Sequence, residues 1–142
     1  MKIVAINGSP RKNGNTAQVL EVVRREVEAA GVGFQVFQPG AKVHPCMACY
    51  HCLNTGSLRC AQTDDMVNDI IAACIEADGI LLAAPVYHGG ISGNMKCVLD
   101  RLMLSARTFT IQAMLRPSLA ATSMPSVSPW TSPGSAPWTA PQ

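Results

Sequence analysis

Cys46, Cys49, Cys52 and Cys60 form the spacing Cys-x2-Cys-x2-Cys-x7-Cys. Three thiolates at two-residue gaps can wrap one corner of an iron-sulfur cubane, and a fourth further along can close it. Zinc sites more often use two separated Cys-x2-Cys clips, so zinc comes second on spacing, and uncoordinated thiols remain open. Tyr50 and His51, inside the run, would shield it. The other two cysteines, Cys74 and Cys97, fall in helical patterns and read as small core residues.

A second chemistry lies near the start. Asn7 to Thr16 reads NGSPRKNGNT, with two glycines, two hydroxyls and two cations. Amides at a helix start, with the helix dipole behind them, favour an anion. The spacing excludes Gly-x-Gly-x-x-Gly, and Asn15 follows Gly14 where a triphosphate loop needs lysine. One terminal phosphate held by Ser9, Arg11, Asn15 and Thr16 fits better than a triphosphate with magnesium. Further on, Pro85 to Gly90 reads PVYHGG: Tyr87 offers a flat apolar face, and Gly89 and Gly90 let backbone approach a ring closely. His88 reads as an ordinary loop histidine. No Ser/His/Asp set and no paired carboxylates occur in these loops, so no catalytic acid or base is assigned.

These loops need a frame. Lys2 to Asn7, KIVAIN, predicts a buried strand. Ala17, Leu20, Val23, Val27 and Ala30 predict a helix that Asn15 can cap and Gly31 can end. GFQVFQ from Gly33 predicts an edge strand. Ala41 to Thr63 has no period and reads as a long functional loop. A helix opening on Asp64 and Asp65 carries Val67, Ile70, Ile71 and Cys74 on one face. Gly79 to Ala84, GILLAA, predicts a central strand covered on both faces. A last helix begins near Ser92, with Met95, Val98, Leu99 and Leu102 buried. Alternating strands and helices predict an α/β fold with a doubly wound parallel sheet, whose loops after strands one and three meet at the switch point.

The chain of 142 residues has room for one domain. Residues 1–116 carry the α/β pattern. Residues 117–142 hold six Pro, six Ser and three Thr and no charge, so neither a helix nor a central strand can be written there. That tail reads either as a Pro/Ser linker or as an end where the fold stops being encoded. A net charge of +2 gives no case for nucleic acid or an anionic membrane. No uncharged stretch can span a bilayer as a helix, and MKIVAING carries no leader pattern. The expected location is the cytoplasm, where cysteines stay reduced.

Three motifs in order, GSPRKNGNT, the cysteine loop before Asp64 to Met66, and APVYHGGISGNMKCVLDR, resemble the flavodoxin-like NAD(P)H-dependent FMN reductases and iron-sulfur flavoproteins over Met1 to about Arg116. The resemblance implies strand order 2-1-3, with the family's strands 4 and 5 missing here. It implies FMN, with its phosphate on Ser9, Arg11, Asn15 and Thr16 and its isoalloxazine ring against Pro85, Val86, Tyr87, His88 and Gly89. It further implies NAD(P)H as electron donor, a homo-oligomer, and a [4Fe-4S] cluster on Cys46, Cys49, Cys52 and Cys60 in some members. The expected activity is electron transfer from NAD(P)H to a small acceptor: free flavin, a quinone or an iron-sulfur partner. The alternatives are a non-enzymatic carrier exchanging electrons with a redox protein such as ferredoxin, and an inactive truncated fragment.

Overall fold

A computed structural model describes residues 1–106, so the expected domain end at Arg116 and the 117–142 tail lie outside the described residues. The elements are β1 (Lys2–Asn7), α1 (Asn15–Ala29), β2 (Gly33–Phe37), α2 (His51–Thr55), α3 (Val67–Glu76), β3 (Gly79–Ala83), β4 (Val86–Tyr87), β5 (Gly90–Ile91) and α4 (Gly93–Ser105). β1 lies between β2 and β3, parallel to both, in the expected order 2-1-3.

The core follows from alternation along β1. Val4 and Ile6 point to one face and pack with Val67, Ile70, Ile71 and Cys74 of α3 and with Met95, Val98 and Leu102 of α4. Each fully buried aliphatic chain of this kind contributes about 1.5–3 kcal/mol through water exclusion. Burial also pushes the Cys74 thiol pKa up, as befits a small core residue. α1 packs on β1 and β2 through a stripe that includes buried Leu20.

Four local expectations are corrected. α1 starts at Asn15, but its N-cap is Gly14, and no side chain caps it. The Gly14 amide turns back toward the Arg11 carbonyl (3.4 Å), so the chain enters the helix through a tight turn rather than through an Asn15 cap. α3 starts at Val67, not at Asp64, because Asp65 folds over the helix start and accepts from the Val67 amide (3.1 Å). Among the described residues β3 is an edge strand, not a central one, with Ile80 46% and Leu82 45% exposed. Finally, the PVYHGG loop contains a small antiparallel ribbon, β4 paired with β5. His88 (φ 47°) and Gly89 (φ 76°) form its two-residue turn, and positive φ at both central residues suits the strand twist.

α4 begins as the sequence predicts. The Ser92 hydroxyl accepts from the Met95 amide (3.4 Å) and donates to the Gly8 carbonyl (2.7 Å), tying this helix start to the loop after β1.

Candidate functional site

The loop after β1 is held from several sides. Asn7, buried at the strand end, accepts from the Ser9 amide on Oδ1 (3.0 Å). The Ser9 hydroxyl accepts from the Arg11 amide (3.2 Å), and Gln38 Nε2 donates to the carbonyls of Ser9 (3.2 Å) and Arg11 (2.9 Å). The Gly8 amide donates to the carbonyl of Ala83 (2.8 Å), at the end of β3. This bond continues the β1–β3 ladder and sets the two loops side by side, as the switch-point argument requires.

Between them lies a cleft of about 490 Å³ lined by Ser9, Arg11, Asn13, Gly14, Asn15, Thr16, Pro85 and Tyr87. Its volume falls in the ordinary range for a small-molecule site. One wall combines hydroxyls, a guanidinium and the uncapped first turn of α1, whose amides are suited to an anion. The other wall combines a proline and an aromatic ring. FMN, a phosphate joined to a flat ring system, fits this pairing.

Six of the nine residues expected around the cofactor therefore line one cleft. Val86, His88 and Gly89 do not. Val86 alternates with Tyr87 along β4 and is 74% exposed, while His88 and Gly89 make the turn at the end of the ribbon. Asn13 also lines the cleft, and Gln38 braces its first loop; Gln38 follows β2 directly, so its closeness to that loop depends on strand order and not on local pattern.

A second site lies against α4. Cys46, Cys49, Cys52 and Cys60 line one small cavity together with Tyr50, Arg101 and Ser105. It leaves about 10 Å³, roughly the room of one water. Among the described residues no three His, Cys, Asp or Glu side chains stand close enough to hold a metal ion, and all six cysteines are free thiols. The chain around them is constrained: Ala48 (φ 52°) and Tyr50 (φ 55°), on either side of Cys49, are left-handed, as is Leu58 (φ 54°). Such backbone persists only where its surroundings hold it.

Arg101 is the centre of that restraint. Its side chain is wholly buried; Nε donates to Cys60 Sγ (3.2 Å), Nη1 to the His44 carbonyl (3.3 Å) and to Asp65 Oδ2, and Nη2 to the Gln62 carbonyl (3.1 Å). Burial pushes the Asp65 carboxyl pKa up, but hydrogen bonds from Arg101, the Val67 amide and the His44 amide outweigh this and hold it below the ordinary value. Asn68 clamps the same segment: Oδ1 accepts from the Cys60 amide (2.8 Å), and Nδ2 donates to the carbonyls of Cys60 (3.1 Å) and Gln62 (2.9 Å). The one buried side-chain polar atom without a partner, among the described residues, is Ser105 Oγ. Four thiols, a buried guanidinium and an unpaired hydroxyl suit an anionic, sulfur-ligated group in donor chemistry. Seating one requires the loop to open outward, on the side where Cys49 and Tyr50 are exposed.

The sequence signal for this network was Arg101 itself, three residues after Val98 and so on the buried stripe of α4.

The family model for NADPH-dependent FMN reductase matches residues 1–112. An iron-sulfur flavoprotein of Methanocaldococcus jannaschii is 36% identical over 102 residues, covering 71% of this chain and 51% of the relative. One of Archaeoglobus fulgidus is 36% identical over 104 residues, covering 72% and 46%. Among solved structures, the NAD(P)H:quinone oxidoreductase from Methanothermobacter marburgensis superposes with a TM-score of 0.58 at 15% identity, over 72% of this chain and 53% of that one, which supports the flavodoxin-like fold. The chain spans about half the length of the curated relatives it matches. Among the described residues no helix is long and apolar enough to cross a membrane.

Proposed function

Because the chain belongs to the NADPH-dependent FMN reductase family, we propose that it binds FMN in the cleft between the loops after β1 and β3 and passes electrons from NAD(P)H to a small acceptor. The observation that carries this reading is the Gly8–Ala83 hydrogen bond, which joins an anion-binding wall and an aromatic wall in one cleft. Ser9, Arg11, Asn15 and Thr16 hold the phosphate. Pro85 and Tyr87 would support the ring, and Val86, His88 and Gly89, on the adjoining ribbon, complete the ring side of this reading.

FMN held there would supply the redox chemistry that links NAD(P)H to the acceptor. The chain's own task is orientation: Gln38 and Asn7 fix the loop backbone, and the hairpin turn fixes the ribbon, so that no side chain has to move a proton. The acceptor is a free flavin, a quinone or an iron-sulfur protein such as ferredoxin. The working form is a homo-oligomer in the cytoplasm, where reducing conditions keep the cysteines out of disulfides.

Cys46, Cys49, Cys52 and Cys60 are the residues that would hold a [4Fe-4S] cluster; that the matched relatives are named iron-sulfur flavoproteins supports an iron-sulfur group. A cluster there would supply one-electron capacity.

Steady-state oxidation of NAD(P)H by the FMN-loaded chain tests the enzyme reading. Turnover with free FMN or a quinone is expected. Reduction by ferredoxin alone would overturn it in favour of an electron carrier.

A further inference from the structure

The segment between β2 and the cysteine loop touches both sites. At its start, Gln38 Nε2 donates to the carbonyls of Ser9 (3.2 Å) and Arg11 (2.9 Å) in the loop after β1. Further along, the Gly40 carbonyl accepts from Asn94 Nδ2 in the first turn of α4, and Val43 packs on the core. At its end, the His44 amide donates to Asp65 Oδ2 (3.2 Å), the His44 carbonyl accepts from Arg101 Nη1 (3.3 Å), and the Pro45 carbonyl accepts from Gln62 Nε2 (3.0 Å). Cys46 follows at once. Gln38 to Pro45 is therefore a strap with little slack, gripping the anion-binding loop at one end and fastened to the cysteine loop at the other.

The far fastening is shared. Arg101, which holds His44, also holds Cys60 Sγ and the Gln62 carbonyl, so strap and cysteine loop hang on one guanidinium. The cavity lined by Cys46, Cys49, Cys52 and Cys60 leaves about 10 Å³, so a group larger than a water that enters it on one of these sulfurs displaces the loop. Cys49 is exposed and Cys46 partly so, which opens both to reagents.

We infer that covalent modification of Cys46 or Cys49 weakens FMN binding, because the displaced loop pulls Gln38 off the carbonyls of Ser9 and Arg11 through the strap. This rests on the reading of the cleft as the FMN site. The modifier is a small disulfide or thiosulfonate: the cysteine sulfur attacks the reagent's sulfur, forms the new S–S bond and expels a thiolate or sulfinate. The effect on affinity follows from linkage. FMN binds the loop that Gln38 holds better than the loop it has released, and that difference sets the coupling.

The test treats the full chain with methyl methanethiosulfonate, which transfers a methylthio group to a thiol and releases methanesulfinate. FMN affinity is read by fluorescence quenching, and mass spectrometry locates the added group. Modification at Cys46 or Cys49 should raise the Kd about fivefold or more, and dithiothreitol, which removes the group, should restore it. A Cys46→Ser/Cys49→Ser chain should not respond. Gln38→Ala should bind FMN more weakly from the start and show no further loss on treatment. A wild-type chain modified at Cys46 or Cys49 with unchanged affinity overturns this inference and leaves the FMN site standing, as does a Gln38→Ala chain that responds as fully as the wild type. An untreated, folded wild-type chain that does not bind FMN overturns the FMN reading itself, and this inference with it.

Discussion

The amide of Gly8 donates to the carbonyl of Ala83 at 2.8 Å, one step past the last residues of the β1–β3 ladder. Gly8 is also pressed against α4: a Cβ at this position would stand 2.6 Å from Met95 Cβ and 3.2 Å from Ser92 Oγ. The loop after β1 is thus fixed by backbone to β3 and by close packing to α4, and the cleft inherits its shape from both.

Gly8→Ala should therefore damage fold and site together. Met95 Cβ is not the far end of a flexible chain, so the backbone must shift. The expected stability loss is about 1–3 kcal/mol by urea denaturation, the usual cost of overpacking. FMN affinity, read by quenching of flavin fluorescence, should fall by about tenfold or more.

The two walls of the cleft can be separated with two ligands. Thr16→Val removes a hydroxyl beside the first turn of α1 and should weaken FMN by about tenfold, the equivalent of one hydrogen bond to a charged group. Riboflavin, which lacks the phosphate, should be unaffected. Equal loss for both ligands would place Thr16 away from the phosphate.

Tyr87→Ala should show the opposite pattern. Loss of its aromatic face should weaken FMN and riboflavin alike, by about tenfold in each case. An effect confined to FMN would mean that the ring lies elsewhere.

Asp65 predicts acid lability. Its folded pKa lies below the unfolded value of 3.8, so the stabilisation it gives is complete above that value and is lost as pH falls through the lower folded one. Asp65→Asn leaves the Arg101 guanidinium buried without its counter-ion and should cost about 3–5 kcal/mol at neutral pH. Denaturation midpoints of both forms between pH 7 and pH 2 check this: the gap should be constant down to about pH 4 and narrow below it. A gap that does not change with pH would mean that Asp65 acts through shape alone.

Elements defined by local periodicity were legible in the sequence. β1 is a β-branched apolar run with a turn behind it, and α4 follows a serine cap with its apolar residues three and four apart. What escaped was set by contacts distant in the chain or by unusual backbone. α2 lies in a segment where Ala48, Tyr50 and Leu58 have positive φ, and no periodicity signals that. The β4–β5 ribbon, two residues in each strand, is too short to leave a periodic signal in the sequence, although two glycines after Tyr87-His88 are a turn signal. By sequence, Asp64 and Asp65 suit a helix start. Asp65 does bond the Val67 amide, but its larger role is to pair with Arg101, 36 residues away. The central position expected for GILLAA came from its continuous apolarity, which records what covers a strand's faces and not how many neighbours it has.

The cysteine loop was legible as a ligand set but not as a neighbourhood. Spacing marked Cys46, Cys49, Cys52 and Cys60, which line one cavity, as a set. It could not reveal that Asn68 clamps Cys60 or that Arg101 of α4 donates to its sulfur, because those contacts depend on how α3 and α4 pack.

The most direct test of the account is an FMN titration of the purified chain, followed by fluorescence quenching, with circular dichroism recorded on the same sample. A folded chain should take up one FMN, quench it and turn yellow, with inorganic phosphate competing weakly. A chain that keeps its helical and strand signals yet leaves excess FMN free in solution would contradict it.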